Sequence, residues 1–265
     1  MAIRAVILAI GREILRGRIQ DTNSWVLARR LTGLGCEVLR IVSCDDDLVA
    51  IVREIARARE DGARLLVTTG GLGPTDDDLT LSALAEATGC PLRLDEEARR
   101  LVAARYAELH AAGAVDDPAL TPAREKMAWL PQGARPLPNP VGAAPGMWLE
   151  AGGVLCVALP GIPAEMVAIL EGSVLPALAG RTGGAVYLER QITTLARDES
   201  AVAPVLGRVM RELPEVFCKS HPTRFGSDVR MEVFVSTWAA DRQAGEERVH
   251  RALQLLREAL GEATS

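Results

Sequence analysis

Apolar and polar positions change rhythm several times along the chain. Residues 3–10 are an apolar, β-branched run, and residues 36–42 and 65–69 repeat that character, so all three are predicted as buried strands. After each of them the apolar positions recur every three to four residues: over 25–34, then at Leu48, Val49, Ile51, Val52 and Ile55, then over 79–87. That spacing predicts helices. Strand and helix thus alternate three times, which implies right-handed crossovers and a parallel sheet with helices on both faces. Residues 95–112 predict a charged, solvated helix in which His110 is a surface residue. Helical character resumes over 119–129, before Pro131, Pro136 and Pro138 enforce an extended, turning connection. Residues 147–150 and 154–158 predict paired strands across Ala151-Gly152-Gly153, followed by a helix from Pro163 to about Leu178.

A second pattern begins after Gly180-Arg181-Thr182-Gly183-Gly184, which reads as a linker. Strand (186–195), helix (200–213), short strand (216–219), strand (229–238) and helix (241–260) follow. They predict a small α+β domain of about 80 residues. The domains are therefore 1–180 and 181–265.

Composition narrows the class. Hydrophobic residues at 48% with 25% charged describe a globular chain, and the net charge of −5 argues against a nucleic-acid binder. A polyanionic ligand would have to be neutralised locally, by metal, amides or a few placed cations. The five cysteines are odd in number, widely spaced and free of C-x-x-C pairs, which favours reduced thiols in the cytosol. No signal peptide or membrane-length apolar run is visible, so a cytoplasmic location without membrane contact is expected. The 30 basic residues comprise 28 Arg and only Lys126 and Lys219; Asn occurs only at 23 and 139. A chain that prefers Arg yet keeps a lysine has a use for a compact ammonium, or has kept it by chance.

The candidate chemistry centres on Gly70-Gly71-Leu72-Gly73-Pro74-Thr75-Asp76-Asp77-Asp78-Leu79-Thr80, between a predicted strand and a predicted helix. Glycines there let the backbone approach a ligand, and amides at such a turn suit a phosphate. Three following aspartates would repel that phosphate unless a cation lies between. Acids at a helix start also serve as caps, but three beside a glycine turn favour a metal-assisted phosphate site. Asp45-Asp46-Asp47 is a second such triplet. In a parallel sheet both would lie at the carboxyl edge, where ligands collect. The loop 139–146 is built of small residues and prolines. The turn Leu159-Pro160-Gly161-Ile162-Pro163-Ala164-Glu165-Met166 is a third amide-lined edge or simply a packing turn.

Four segments in order, G-R-E-I-L-R-G-R-I-Q-D-T-N-S, T-T-G-G-L-G-P-T-D-D-D-L-T, N-P-V-G-A-A-P-G and L-P-G-I-P-A-E-M, closely resemble the amino-terminal region of the CinA family (competence/damage-inducible protein A). That region lies within the molybdopterin-binding, MoaB/MogA-like superfamily. The resemblance covers roughly residues 3–180, and 185–262 look more loosely like the KH-type small domain of the same family. It implies a three-layer α/β sandwich with a mostly parallel sheet plus a small α+β KH-like domain. It also implies a homodimer and hydrolysis of a nucleotide diphosphate such as ADP-ribose with Mg, Mn or Co, potassium being a frequent activator. The family's carboxy-terminal deamidase motif, E-S-x-T-G-G, has no counterpart here, so nicotinamide mononucleotide deamidase activity is not expected. Arg12 stands where members often have Thr. The string Gly180-Arg181-Thr182-Gly183 precedes the small domain's first strand, so it should not clamp nucleic acid.

By motif match, Asp46 and Asp78 are the catalytic and metal-binding candidates, with Asp77 a further ligand and Lys126 in K-M-A-W-L-P-Q-G-A to neutralise developing charge. Gly11, Glu13, Asn23, Gly70, Gly71, Gly73, Pro74, Thr75, Asn139, Gly142 and Gly161 are the substrate-binding candidates, with Asp21 able to complete the site. Two alternatives are a molybdopterin- or nucleotide-binding protein without hydrolysis, and a regulatory module with a vestigial site. The small domain is expected to support dimerisation or to cover the site, with Lys219-Ser220-His221-Pro222 nearest a ligand or partner.

Overall fold

The computed structural model describes residues 2–184, 186–196, 198–222 and 230–261. Its chain clusters into two compact units, the larger of Ile3–Thr32 and Cys36–Arg181 and the smaller beginning at Thr182.

In the larger unit the elements run β1 (Ile3–Ile10), α1 (Arg12–Leu15), α2 (Thr22–Gly33), β2 (Cys36–Cys44), α3 (Leu48–Glu60), β3 (Leu65–Thr69), α4 (Thr80–Thr88), β4 (Leu92–Leu94) and α5 (Glu96–Ala111). They continue with α6 (Pro122–Lys126), β5 (Trp129–Pro131), β6 (Arg135–Leu137), β7 (Gly146–Ala151), β8 (Val154–Leu159), α7 (Pro163–Ile169), a π-helical stretch over Leu170–Val174 and α8 (Leu175–Ala179). Six strands form one sheet in the order β2-β1-β3-β8-β7-β6. β2, β1, β3 and β8 are mutually parallel, and β7 and β6 add on antiparallel. This is the expected mostly parallel α/β fold.

Alternation along the strands explains the layers. Val6, Leu8, Ile10 and Leu66 share a core with Ile51 and Ile55 of α3, Leu84 of α4 and Val102 of α5. Successive side chains point to opposite faces, so Ala5, Ile7, Ala9, Leu65 and Val67, all buried, fall to the other face. Helix starts follow local chemistry: Asp47 accepts from the Ala50 amide and Asp95 from the Ala98 amide, both caps of the usual kind. The Gly152-Gly153 turn takes positive φ at both residues and closes the β7–β8 hairpin.

Three features depart from the sequence pattern. Residues 119–129 do not form one helix: α6 stops at Lys126, and Trp129–Pro131 pairs antiparallel with Leu92–Leu94. That pairing is non-local and overrides helical propensity. Arg12–Leu15 makes a single helical turn inside the first loop. The helix after Pro163 loosens into a π turn just before Pro176, which has no amide to donate.

The smaller unit holds β9 (Val186–Thr194), α9 (Glu199–Glu212), β10 (Val216–Pro222), β11 (Met231–Ala239) and α10 (Arg242–Leu260). β11 is central in the antiparallel order β10-β11-β9, and Val233, Val235, Val202, Val209, Val249 and Leu256 lie in its core. Val229, the expected start of that strand, lies outside the described residues. Gly180–Gly183 precedes β9 and does not lie between helices. No helix among the described residues is long and apolar enough to cross a membrane.

Candidate functional site

β1 lies between β2 and β3, so the chain leaves it toward opposite sides, and the carboxyl edge opens a crevice where the crossovers diverge. A cavity of about 550 Å³ occupies that crevice. It is reached by Ile10 at the end of β1, Asp46 after β2, Thr69 and Gly70 at the end of β3, and Pro160 and Gly161 after β8.

The glycine turn forms its floor. Gly70 has φ +102°, and a Cβ there would lie 2.1 Å from the Ile10 carbonyl oxygen of the neighbouring strand. Its amide donates to the Leu159 carbonyl at 3.0 Å, and its own carbonyl accepts from the Thr80 hydroxyl at 2.7 Å. Gly71 is also left-handed, and its carbonyl accepts from the Thr80 amide. Thr80, fully buried at the start of α4, therefore clips the first two residues of the loop to the helix.

The aspartates divide their tasks. Asp47 caps α3. Asp45 pairs with the Arg12 guanidinium at 2.7 Å, and that hydrogen bond holds its carboxyl below the usual range. Asp46 accepts the Arg12 amide, at 2.7 Å. Burial pushes its carboxyl above the usual range, and the like charges of Glu13, Asp77 and Asp45 add to the effect. In the second triplet, Asp78 accepts from the Thr75 amide at 2.9 Å and from the Thr75 hydroxyl at 2.7 Å. The same hydroxyl proton is shared with Asp77 and holds that carboxyl below the usual range, with Lys126 and Arg12 contributing charge. No aspartate caps α4: its N-cap is Leu79, without a side-chain bond. The capping role considered for this triplet is absent, because the carboxylates fold back onto Thr75.

Asn23 and Glu165 also line the cavity, and Asn139 braces Glu165. Asn23 Nδ2 donates to the Thr69 hydroxyl at 2.9 Å and to the Gly161 carbonyl at 2.8 Å. Its Oδ1 is buried with no hydrogen-bond partner, although the residue lines the cavity. Such an orphan acceptor is costly unless a ligand or water donates to it. Asn139 turns inward: Oδ1 accepts from the Val141 and Gly142 amides, and Nδ2 donates to Ala144 O and to Glu165 Oε2 at 2.6 Å. A Cβ on Gly142 would sit 2.0 Å from the Glu165 carboxyl carbon, so the loop is shaped around that side chain. Arg105 of α5 donates to the carbonyls of Val141 and Gly142.

Of the residues singled out from the sequence, Glu13, Asn23, Asp46, Gly70, Gly71, Gly73, Pro74, Thr75, Asp77, Asp78 and Gly161 line this one cavity, as does Asp21. Four do not. Gly11 lies behind it, where a Cβ would meet Glu13 Oε1 at 2.5 Å. Asn139 and Gly142 act through Glu165 and Ala144. Asn139 offers no free hydrogen-bonding group to a ribose, because both its amide atoms are engaged within the loop. Lys126 lines a neighbouring cavity, its Nζ donating to the Thr75 carbonyl. Glu165 and Tyr106 reach the cavity without having been singled out. Glu165 stood in view inside the Leu159–Met166 turn, whereas Tyr106, on a charged helix, gave no local signal.

Among the described residues, six carboxylates (Glu13, Asp21, Asp46, Asp77, Asp78 and Glu165) line the cavity, and no Lys or Arg does. Among the described residues no three His, Cys, Asp or Glu are arranged to hold an ion by themselves. This donor set of hard oxygens fits an Mg²⁺-like ion that takes one or two carboxylates and completes its shell with water and ligand phosphate. It does not fit a zinc cage. All five cysteines are free, and burial pushes the Cys44 thiol, the one nearest the site, up to about 12.

Residues 6–180 match the family model described as a probable molybdopterin binding domain. A protein of Pyrobaculum calidifontis is 41% identical over 256 residues, covering 95% of this chain and 94% of its own length. One of Caldivirga maquilingensis is 42% identical over 259 residues, covering 96% and 95%. Among solved structures, the protein CinA "with unknown function" from Thermoplasma acidophilum aligns with a TM-score of 0.56 at 38% identity, over 64% of this chain and 95% of that one.

Proposed function

Because the chain belongs to the family of the probable molybdopterin binding domain, with a CinA-like amino-terminal region, we propose that its cavity binds a nucleotide diphosphate such as ADP-ribose together with a divalent ion and hydrolyses the diphosphate. One observation carries this: a glycine turn at the sheet's switch point faces a cavity with six carboxylates and no basic side chain. A diphosphate enters such a cavity only if a cation neutralises the wall.

Asp46 and Asp78 are the residues placed to hold that ion, with Asp77 beside them. When bound, it would supply charge neutralisation and polarise the phosphoryl oxygens. The chain's own groups do the rest. The glycine turn lets the phosphates approach the backbone. The orphaned Asn23 Oδ1 accepts from a ligand hydroxyl or amino group. Water adds to one phosphorus, the bridging oxygen leaves on the other phosphate, and the water's proton passes to a cavity carboxylate. Lys126 holds the Thr75 carbonyl and so fixes the loop on which Asp77 and Asp78 stand.

The test is AMP release from ADP-ribose with Mg²⁺, Mn²⁺ or Co²⁺, with and without K⁺. Turnover that survives excess chelator, or no turnover with any of the three ions, defeats the hydrolytic function. A second function, binding of a phosphorylated pterin or nucleotide without hydrolysis, is favoured by one fact. No preformed group of three metal-ligating side chains is found among the described residues. Thermal stabilisation by these ligands without turnover identifies it.

A further inference from the structure

The glycine loop has a second side. A cavity of about 300 Å³ lies against it and shares Gly71, Leu72, Gly73 and Asp78 with the large one. The loop is therefore a thin wall between two hollows. Their chemistry differs. The large cavity is lined by carboxylates without a cation, whereas the small one has Lys126 as its basic group and Trp129 as its aromatic one, with Leu81 and Leu92 beside them. Trp129 is 40% exposed on β5, so its indole is available to a ligand. Ligand pockets span about 300 to 1,000 Å³. The small cavity sits at the foot of that range, suited to one ring system.

We infer that the small cavity receives the far end of the same ligand, and that this end is an aromatic base stacked on Trp129. This rests on the diphosphate lying over the glycine loop, as proposed above. One nucleoside fills the large cavity. The diphosphate crosses the wall at Gly71–Gly73, where Asp78 borders both hollows and the Lys126 ammonium stands on the side of the small one. The second base meets the indole face. The preferred substrate class is then a dinucleoside diphosphate, with a ring at both ends, rather than a diphosphate ending in a bare sugar. Hydrolysis of its P–O–P bridge by one water yields two nucleoside monophosphates, the water oxygen remaining on one phosphate. Stacking of a base on an aromatic side chain is worth about ten-fold in affinity or more.

The experiment compares two non-hydrolysable ligands by calorimetry in Mg²⁺: a methylene-bridged diadenosine diphosphate and methylene-bridged ADP-ribose, with AMP as the one-nucleoside reference. The wild-type chain should bind the two-ring ligand about ten-fold more tightly than the ADP-ribose analogue. That ratio should fall to about one in Trp129→Ala and persist in Trp129→Phe, which keeps a stacking face. Equal affinities in the wild type, or an equal loss for both ligands in Trp129→Ala, overturn the inference. If AMP binds and the second ring adds nothing, only the small cavity's role fails. If AMP does not bind, the large cavity's proposed role fails and this one with it.

Discussion

Asp45–Asp47 and Asp76–Asp78 are written in the same three letters, and each follows a strand of the parallel sheet. Their six carboxylates nonetheless have different fates. The first triplet sits directly between strand and helix, so its last member caps α3, its first is taken by Arg12, and only Asp46 is left for the cavity. The second triplet is separated from its helix by Leu79 and hangs on a glycine loop. Two of its members, Asp77 and Asp78, turn back onto Thr75 and face the cavity. Identical side chains are divided between fold and site by which donors lie within reach of each: a helix amide for Asp47, a guanidinium for Asp45, the loop's own threonine for Asp77 and Asp78.

That contrast can be broken at its most demanding point first. The second triplet depends on the glycine turn, the first does not. Gly70→Ala places a Cβ against the Ile10 carbonyl at a left-handed φ, and should destabilise the fold by about 3 kcal/mol or more in denaturant unfolding. A loss under about 1 kcal/mol would mean that the turn can relax. Next comes Asp78→Asn. An amide oxygen can still accept from the Thr75 amide, so the stability change should stay within about 1 kcal/mol. Loss of the negative charge should lower metal-dependent ADP-ribose turnover by ~10²-fold. Near-normal turnover would remove Asp78 from the reaction.

Asp47→Ala is the mirror experiment. It should cost about 1 kcal/mol through the lost Ala50 bond while leaving turnover within about two-fold. The smallest effect separates members of one triplet by pH, in metal-free protein. Asp46 has a raised folded pKa, so its contribution to stability is present below the unfolded value and is lost as pH rises through the folded one. Asp46→Asn should match the wild type in acid and become the more stable of the two toward neutral pH. Asp45 and Asp77, with lowered values, have the opposite sign: their contributions are present above the unfolded value and are lost as pH falls through the folded one. Thermal melts from pH 3 to 7 check both signs; a constant Asp46→Asn difference would contradict the burial of that carboxyl.

Much of the sheet could be read from the chain because its strands are buried on both faces, and continuous runs such as Leu65–Thr69 carry their own signal. Caps such as Asp47 and Asp95 are equally local. What stayed hidden depends on distant partners. Trp129 looks helical until Leu94, far upstream, supplies a strand for it to pair with. Asn139 looks like a ligand-binding amide until Glu165 and the Ala144 carbonyl take its Nδ2. Tyr106 lies among charged residues of α5, and only the packing of that helix turns it toward the cavity. Glycine and aspartate spacing located the site's floor because backbone conformation is a local property. The wall was legible only in part: Asn23 and Gly161 were singled out, whereas Tyr106 and Glu165, on other segments, were not.

The bond from Lys126 to the Thr75 carbonyl has a practical side. With lysine at only two positions, one in each compact unit, the larger unit has a single side-chain amine, and it rests on the loop that holds Asp77 and Asp78. Reductive methylation with a labelled carbon would therefore install, besides the label on the α-amine, one magnetic reporter at Lys126 against that loop and one in the smaller unit, at Lys219. Changes in loop conformation could then be followed from a single assigned resonance, without introducing any mutation.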